Sequence, residues 1–352
     1  MKKRLMLLAG SIGIATILSG CFEGEQSQTE IDPPQNAQEV DNLDKVDEED
    51  VSATPEETAD TVSRDLYLLD ANGMVASQTL ELPVPDTNEV AAQVLEHLVK
   101  GGPVTPLLPN GFQAVLPEGT EVLGVNLQED GTIIVDLSEE FTQYEENQEV
   151  QILESVTHTL TQFESVHKVK LRVNGQDLKE MPVNGTPINS GYSRANGINI
   201  INNDTLDYLQ SEPVTMYYPV EQENNRYYVP VTQYIETNED EAIANIIKEL
   251  IDGPGHQSKV VNVFNPEAGL ASEPALNNGI LEVVFNKEIL ADSEQGIIAD
   301  EVMETMVRTL TEQPNIDAVD VKVENVEKVV NENGEAYTEP VTKQVFSPSE
   351  EL

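Results

Sequence analysis

Cys21 is the only cysteine in the 352-residue chain, and it ends the run Leu18-Ser19-Gly20-Cys21. A thiol behind two small residues can take a diacylglyceryl group, after which a signal peptidase can cut the bond before it. The residues upstream fit that chemistry. Lys2, Lys3 and Arg4 form a basic start, and Leu5 to Leu18 is an apolar run interrupted by Gly10 and Gly13. The run is short of the roughly twenty residues a spanning helix needs. Residues 1–20 are therefore expected to be a removable lipoprotein signal peptide, with Cys21 as the lipidation site that holds the chain on a membrane. Several acyl chains on one residue hold more firmly than a single chain. With one cysteine, no disulfide can form within the chain.

Other reactive types are sparse. His97, His158, His167 and His256 form no His-Glu-x-x-His pair or other close ligand set. His97 and His158 fall on expected helices and read as surface or boundary residues. There is no Gly-x-Ser-x-Gly elbow and no phosphate-cradling loop. Asp136 is the best candidate for acid–base work, since a carboxylate on a buried strand can have a raised pKa. Its plainer reading is a structural hydrogen bond or a solvent-facing strand residue, and its counterpart 148 residues later is Val284. Glu139 and Glu140 suit the positive end of a following helix. The chain is expected to be no enzyme and to hold no catalytic residue, metal or cofactor.

Charge narrows the partners. The chain has 19 Lys+Arg against 64 Asp+Glu, a formal net charge of −45, which argues against nucleic acid and against broad contact with anionic lipid. Trp is absent, so a carbohydrate platform of stacked Trp is unavailable. From Glu23 to Asp60 there are fourteen acidic residues, one base (Lys45), and helix-breaking Pro33, Pro34 and Pro55. Such a stretch cannot bury enough surface to offset its chain entropy. Residues 21–61 are expected to be a lipidated, acidic, disordered tether. Asp41 to Asp50 lacks the Gly and the spacing of a calcium loop and reads as part of that solvated spacer.

The elements that remain repeat. Asp130-Gly131 signals a turn, Thr132 to Val135 a buried strand, and Ser138 a cap for the helical segment beyond. The pattern returns at Asn278-Gly279, with Asn286 in the place of Ser138. Tyr67, in a first strand at Leu66 to Leu69, is matched 150 residues later by Tyr217. Apolar stripes at helical spacing also recur: Val90 to Val99 with Ala242 to Ile251, and Ile152, Leu153, Val156 and Leu160 with Val302, Met303, Met306 and Leu310. Each copy closes on a strand, Val169 to Val173 or Val319 to Val323. Each unit reads β-β-α-β-β-α-β. The fold class expected is α+β: two tandem repeats, each a small mixed sheet with two helices packed on one face. Residues 62–185 and 211–330 would form the domains, 186–210 a linker with a short strand at Ile198 to Ile201, and 331–352 a hairpin at Asn333-Gly334 and a tail.

With these residues in hand, the chain resembles the GerM family of sporulation and spore-germination lipoproteins of endospore-forming bacteria, as two tandem GerMN-type domains. The resemblance is carried by Leu98-Val-Lys-Gly-Gly-Pro103, by Gly131-Thr-Ile-Ile-Val-Asp-Leu-Ser-Glu-Glu-Phe141, and by Thr159-Leu-Thr161 ahead of Val169-Lys-Leu-Arg-Val173. The second copy departs from the Val-Asp-Leu-Ser run. The resemblance implies a domain similar to the ring-building motifs of secretion machines. It also implies a role in assembling or stabilising an envelope complex during sporulation, in the channel between mother cell and forespore. The partners implied are protein components of that complex, near peptidoglycan. An extracytoplasmic solute- or wall-binding lipoprotein is the alternative, which a deep pocket between the repeats would favour. An enzyme on an envelope polymer would need paired carboxylates in one cleft, or a metal site assembled from distant residues.

Overall fold

The computed structural model describes residues 61–85, 89–201, 211–222, 225–236, 241–255 and 259–346. The expected signal peptide, Cys21, the acidic tether up to Asp60, His256 and residues 347–352 lie outside the described residues, and Thr61, expected to end the tether, instead opens the first strand. Both repeats fall in one compact unit.

The first repeat runs β1 (Thr61–Leu69), β2 (Val75–Pro83), α1 (Val90–Glu96), β3 (Val122–Leu127), β4 (Thr132–Leu137), α2 (Glu149–Leu160), β5 (Lys168–Val173) and the short β6 (Gln176–Asp177). The second runs β7 (Ser211–Gln222), β8 (Asn225–Glu236), α3 (Ala242–Asp252), β9 (Ala275–Asn277), β10 (Ile280–Phe285), α4 (Asp300–Leu310) and β11 (Ala318–Val323). The α+β class and the twofold repetition are as the sequence predicts. The hairpins β1–β2 and β7–β8 are two-stranded sheets of their own. The mixed sheets are β3-β4-β5-β6 and β9-β10-β11, each with one parallel pair, β4–β5 or β10–β11.

A parallel pair needs a long crossover, and α2 and α4 supply it. Alternation does the rest. Ile133, Val135 and Leu137 stand opposite Val169, Leu171 and Val173, as Leu281, Val283 and Phe285 stand opposite Val319, Val321 and Val323. Most of these side chains are buried, and they join Ile152, Leu153, Val156 and Leu160 of α2 with Val302, Met303, Met306 and Leu310 of α4 in one apolar cluster across both repeats.

The turns explain the glycines. Gly131 has φ +77°, and a Cβ there would come within 2.5 Å of His167. Its carbonyl accepts from the His167 and Lys168 amides at 2.9 and 3.3 Å. Gly279, at φ +81°, does the same for Asp317 and Ala318 at 2.7 and 3.2 Å. Asn278 is also at positive φ, so Asn278-Gly279 forms the tight two-residue hairpin between Asn277 and Ile280.

Several expectations are corrected. Ser138 makes no side-chain cap. Its hydroxyl instead accepts the Glu121 amide at 3.0 Å, tying the end of β4 to the start of β3. Asn286 does the same job, accepting from the Gly269 amide at 3.0 Å. Both lead into a short 3-10 turn, and Glu139 and Glu140 form the first turn of the one at Glu139–Thr142. Helix α1 stops at Glu96 rather than Val99, because Val99 leaves to bridge Leu116 and the Lys100 amide bonds to the Leu116 carbonyl. Ile198 to Ile201 is not a regular strand. Asn333-Gly334 does lie in a tight turn, with the Asn331 amide on the Glu335 carbonyl at 2.8 Å.

Candidate functional site at the junction of the repeats

Helix α2 lies between the β1–β2 hairpin and strand β5, which buries nearly its whole circumference. That geometry overturns the surface reading of the histidines: His158 is 2% exposed and His97 6%. His97 Nδ1 lies 2.8 Å from the Gln93 carbonyl. Neither ring nitrogen of His158 has a hydrogen-bond partner among the described residues, and the ring leans on Tyr67 at 5.2 Å. Burial, aided by the Arg194 charge, pushes its pKa down to about 3, so the ring is neutral.

One turn earlier on α2, Glu154 is equally buried and accepts the Asn199 amide at 3.1 Å. Burial pushes its carboxyl up to about 7, against the pull of that amide. Glu149 is a different case. Burial alone would raise it, but the Asn184 and Thr186 amides and the Tyr144 hydroxyl outweigh burial and hold it below the usual carboxylate range. Those donors lie at 2.7, 2.9 and 2.8 Å.

Asp136, the sequence candidate for acid–base chemistry, sits apart from these groups. Its carboxylate accepts the Gly175 amide at 2.9 Å and steadies the β5–β6 turn. Among the described residues no group of three or more His, Cys, Asp or Glu side chains is placed to hold a metal ion.

The residues that join the repeats are ones to which the sequence reading gives no joining role. Asn199, at φ +47°, binds the Val75 backbone through both ends of its amide, at 2.8 and 2.7 Å, and donates to the Pro230 carbonyl at 2.8 Å. It thereby staples β2 to β8. Ile198 is fully buried against Tyr67 and Val75. Its carbonyl takes the Thr232 amide at 2.9 Å, and the Thr232 carbonyl takes the Ile201 amide at 3.1 Å. Arg194 reaches Thr161 at 2.9 Å and pairs with Glu312 of the second repeat at 2.6 Å. The Tyr227 hydroxyl donates to Asp70 across the junction at 2.7 Å. The one sequence signal was the apolar run around Asn199, because a polar side chain in a buried run must find partners.

Beside this filled region is a half-open cavity of about 450 Å³ between the hairpins, lined by Tyr67, Ser77, Tyr217, Tyr228, Arg308 and Lys343 among others. Burial first, then Tyr67 and Glu312 beside it, raise the Tyr217 phenol well above its ordinary range. A separate apolar feature is strand β3, at the edge of its sheet, with Leu123 49% and Leu127 46% exposed.

The family profile described as Germane, sporulation and spore germination, matches twice, at residues 65–179 and 215–329. The chain is 44% identical over 344 residues to the spore germination protein GerM of Bacillus subtilis strain 168, covering 94% of this chain and 93% of that protein. The solved tandem GerMN domains of the sporulation protein GerM from Bacillus subtilis match with a TM-score of 0.73 and 47% identity, over 80% of this chain and 98% of that one. The matches span the duplicated elements and the junction between them, and the chain belongs to the GerM family of sporulation and spore germination proteins, with two tandem GerMN domains.

Proposed function

We propose that the chain is a lipid-anchored, non-enzymatic lipoprotein on the extracytoplasmic face of the cell membrane. There it assembles or stabilises an envelope complex during sporulation, in the space between mother cell and forespore, and through that affects germination. The observation that carries this reading is the linker threaded between the two hairpins. It joins two related but diverged surfaces in one body, which suits bridging of partners. The reactive side chains support the reading, because Asp136 and Glu149 are committed to holding loops. The exposed edge of β3 offers recognition surface. Partners are protein components of the channel complex, close to peptidoglycan. A charge of −45 disfavours nucleic acid. Among the described residues no helix is long and apolar enough to cross a membrane. The basic start, the short apolar run and Cys21 support attachment through lipid.

The cavity favours a second reading, an extracytoplasmic solute- or wall-binding lipoprotein. Sporulation assays separate the two. Charge-reversing substitutions on exposed surface should block spore formation and partner retention in a folded protein, while Asp136→Asn should leave both largely intact. The opposite pattern would sink the assembly role. Mass spectrometry of the mature N-terminus should find a lipid-modified Cys21, and an unmodified soluble chain would remove the anchor from the proposal.

A further inference from the structure

The first repeat leaves an apolar groove open between α1 and the outer edge of β3. It measures about 470 Å³ and is lined by Val90, Ala91, Val125, Leu127, Phe163 and Val166 among others. Among the described residues β3 pairs with β4 alone, so its other edge is uncovered. Directly opposed residues share a face, which puts Val125 and Leu127 on the side of Val135 and Ile133. Val135 and Ile133 are core residues, yet Leu127 is half exposed. The core side of the sheet thus runs out into the groove. At the other end of β3 a bulge at Leu123 breaks the register with β4. The regular part of the edge is Gly124 to Leu127.

The charges round the groove have one sign. Glu89 and Glu96 line it, and no Lys or Arg does among the described residues. Glu121 precedes the lining residue Val122, and Glu164 lies between the lining residues Phe163 and Ser165. All four carboxylates belong to exposed residues, and none forms an ion pair among the described residues. The residues between Pro85 and Glu89, Asp-Thr-Asn, lie outside the described ones; their sequence adds a further acid and no apolar side chain.

Unpaired carboxylates round an apolar groove complement an apolar occupant that carries cations. They disfavour anionic lipid and the acidic run from Glu23 to Asp60, as well as the segment that carries Glu350 and Glu351. At a charge of −45 they also disfavour a second copy. We propose that the groove docks an extended segment of a partner protein, apolar at alternate positions and flanked by Lys or Arg. The segment adds as a strand along Gly124 to Leu127, the mode in which main-chain hydrogen bonds hold a peptide on a sheet edge. Every second side chain enters the groove, against Val125, Leu127 and Phe163. The flanking cations meet the carboxylates of the rim.

This names the chemistry of a partner for the assembly role, and it rests on that role for the partner's being a protein of the complex. The test reads the groove alone on the purified chain. Its failure would strike the groove and leave the sporulation assays to judge the role.

The test is fluorescence anisotropy of the full chain, at about 0.15 M salt, with a labelled peptide Lys-Arg-Val-Thr-Leu-Ser-Val-Lys-Arg. Saturable binding is expected. A peptide of the same charge with serine in place of its apolar residues should bind at least tenfold more weakly, which separates the groove from general attraction to a chain of −45. Leu127→Arg should weaken binding at least tenfold, and Glu89→Gln combined with Glu96→Gln severalfold. These residues are exposed, and thermal unfolding checks that the variants fold. The groove is overturned if the full chain shows no saturable binding, if the serine peptide binds as tightly, or if folded Leu127→Arg binds unchanged. Binding that appears only after removal of residues 1–20, where Lys2, Lys3 and Arg4 precede an apolar run, would also overturn it, by assigning the groove to the chain's own leader. Self-association abolished by Leu127→Arg would overturn it in favour of a second copy.

Discussion

The backbone amide of Tyr67 donates to the hydroxyl of Thr159, 92 residues away, at 3.0 Å. Tyr217 and Thr309 repeat the bond at 2.9 Å over the same separation. In the first repeat the Tyr67 carbonyl also accepts from Ser155 one turn earlier. The hydroxyls of a buried helix thus satisfy the backbone of the hairpin strand beside it, and an edge strand is covered rather than left to pair with another chain. Thr305, the counterpart of Ser155, leaves its hydroxyl without a partner among the described residues.

Thr159→Val should therefore orphan a buried amide and cost about 1–3 kcal/mol, with Thr309→Val similar. Thr159→Ser should recover most of the loss. Urea unfolding followed by circular dichroism checks this, and a neutral Thr159→Val would mean the amide finds another acceptor.

Asn199 should be the most sensitive position of the linker. Asn199→Ala removes the staple between β2 and β8 and places a Cβ-bearing residue without a compensating side chain at φ +47°. Asn199→Gly removes the staple but tolerates the φ. Both should lose roughly 2–3 kcal/mol, with Ala the worse by a few tenths or more. Hydrogen exchange at the Val75 amide should rise in both variants.

Glu154 and His158 should make opposite contributions to the pH dependence of stability. The folded Glu154 carboxyl is raised from 4.5 to about 7, so its contribution is complete below pH 4.5 and is lost as pH rises to 7. The folded His158 imidazole is lowered from 6.5 to about 3, so its contribution is complete above pH 6.5 and is lost as pH falls towards 3. The advantage of the parent over Glu154→Gln should shrink by about 3 kcal/mol from pH 4.5 to 7. Its advantage over His158→Gln should shrink by about as much from pH 6.5 to 4.5. Chemical denaturation across that range reads both, and parallel curves for parent and variants would show that the groups are not buried in solution.

Leu160 and Leu310 are both fully buried at equivalent helix positions. Leu160→Ala and Leu310→Ala should each cost roughly 2–5 kcal/mol. Because one apolar cluster spans the repeats, either change should lower a single unfolding transition. Two separated transitions would show that the repeats unfold independently.

Local order determined what the sequence shows by itself. Asp130-Gly131 and Asn278-Gly279 can make their turns because glycine reaches positive φ without a Cβ. The apolar stripes on α2 and α4 recur at helical spacing, and the β-branched strands alternate, whatever lies around them. Those patterns are properties of neighbouring residues, and they sufficed for two α+β repeats. The tertiary structure decided which polar side chains are buried. His158 and Glu154 look like the outer face of an amphipathic helix until the linker closes over them. Ser138 looks like a cap until the Glu121 amide comes within reach from 17 residues away. The linker runs back against the first hairpin, with Ile198 packed on Tyr67 and Val75. That path depends on contacts such as Asn199 to Val75, 124 residues apart, and no local pattern encodes a partner at that distance.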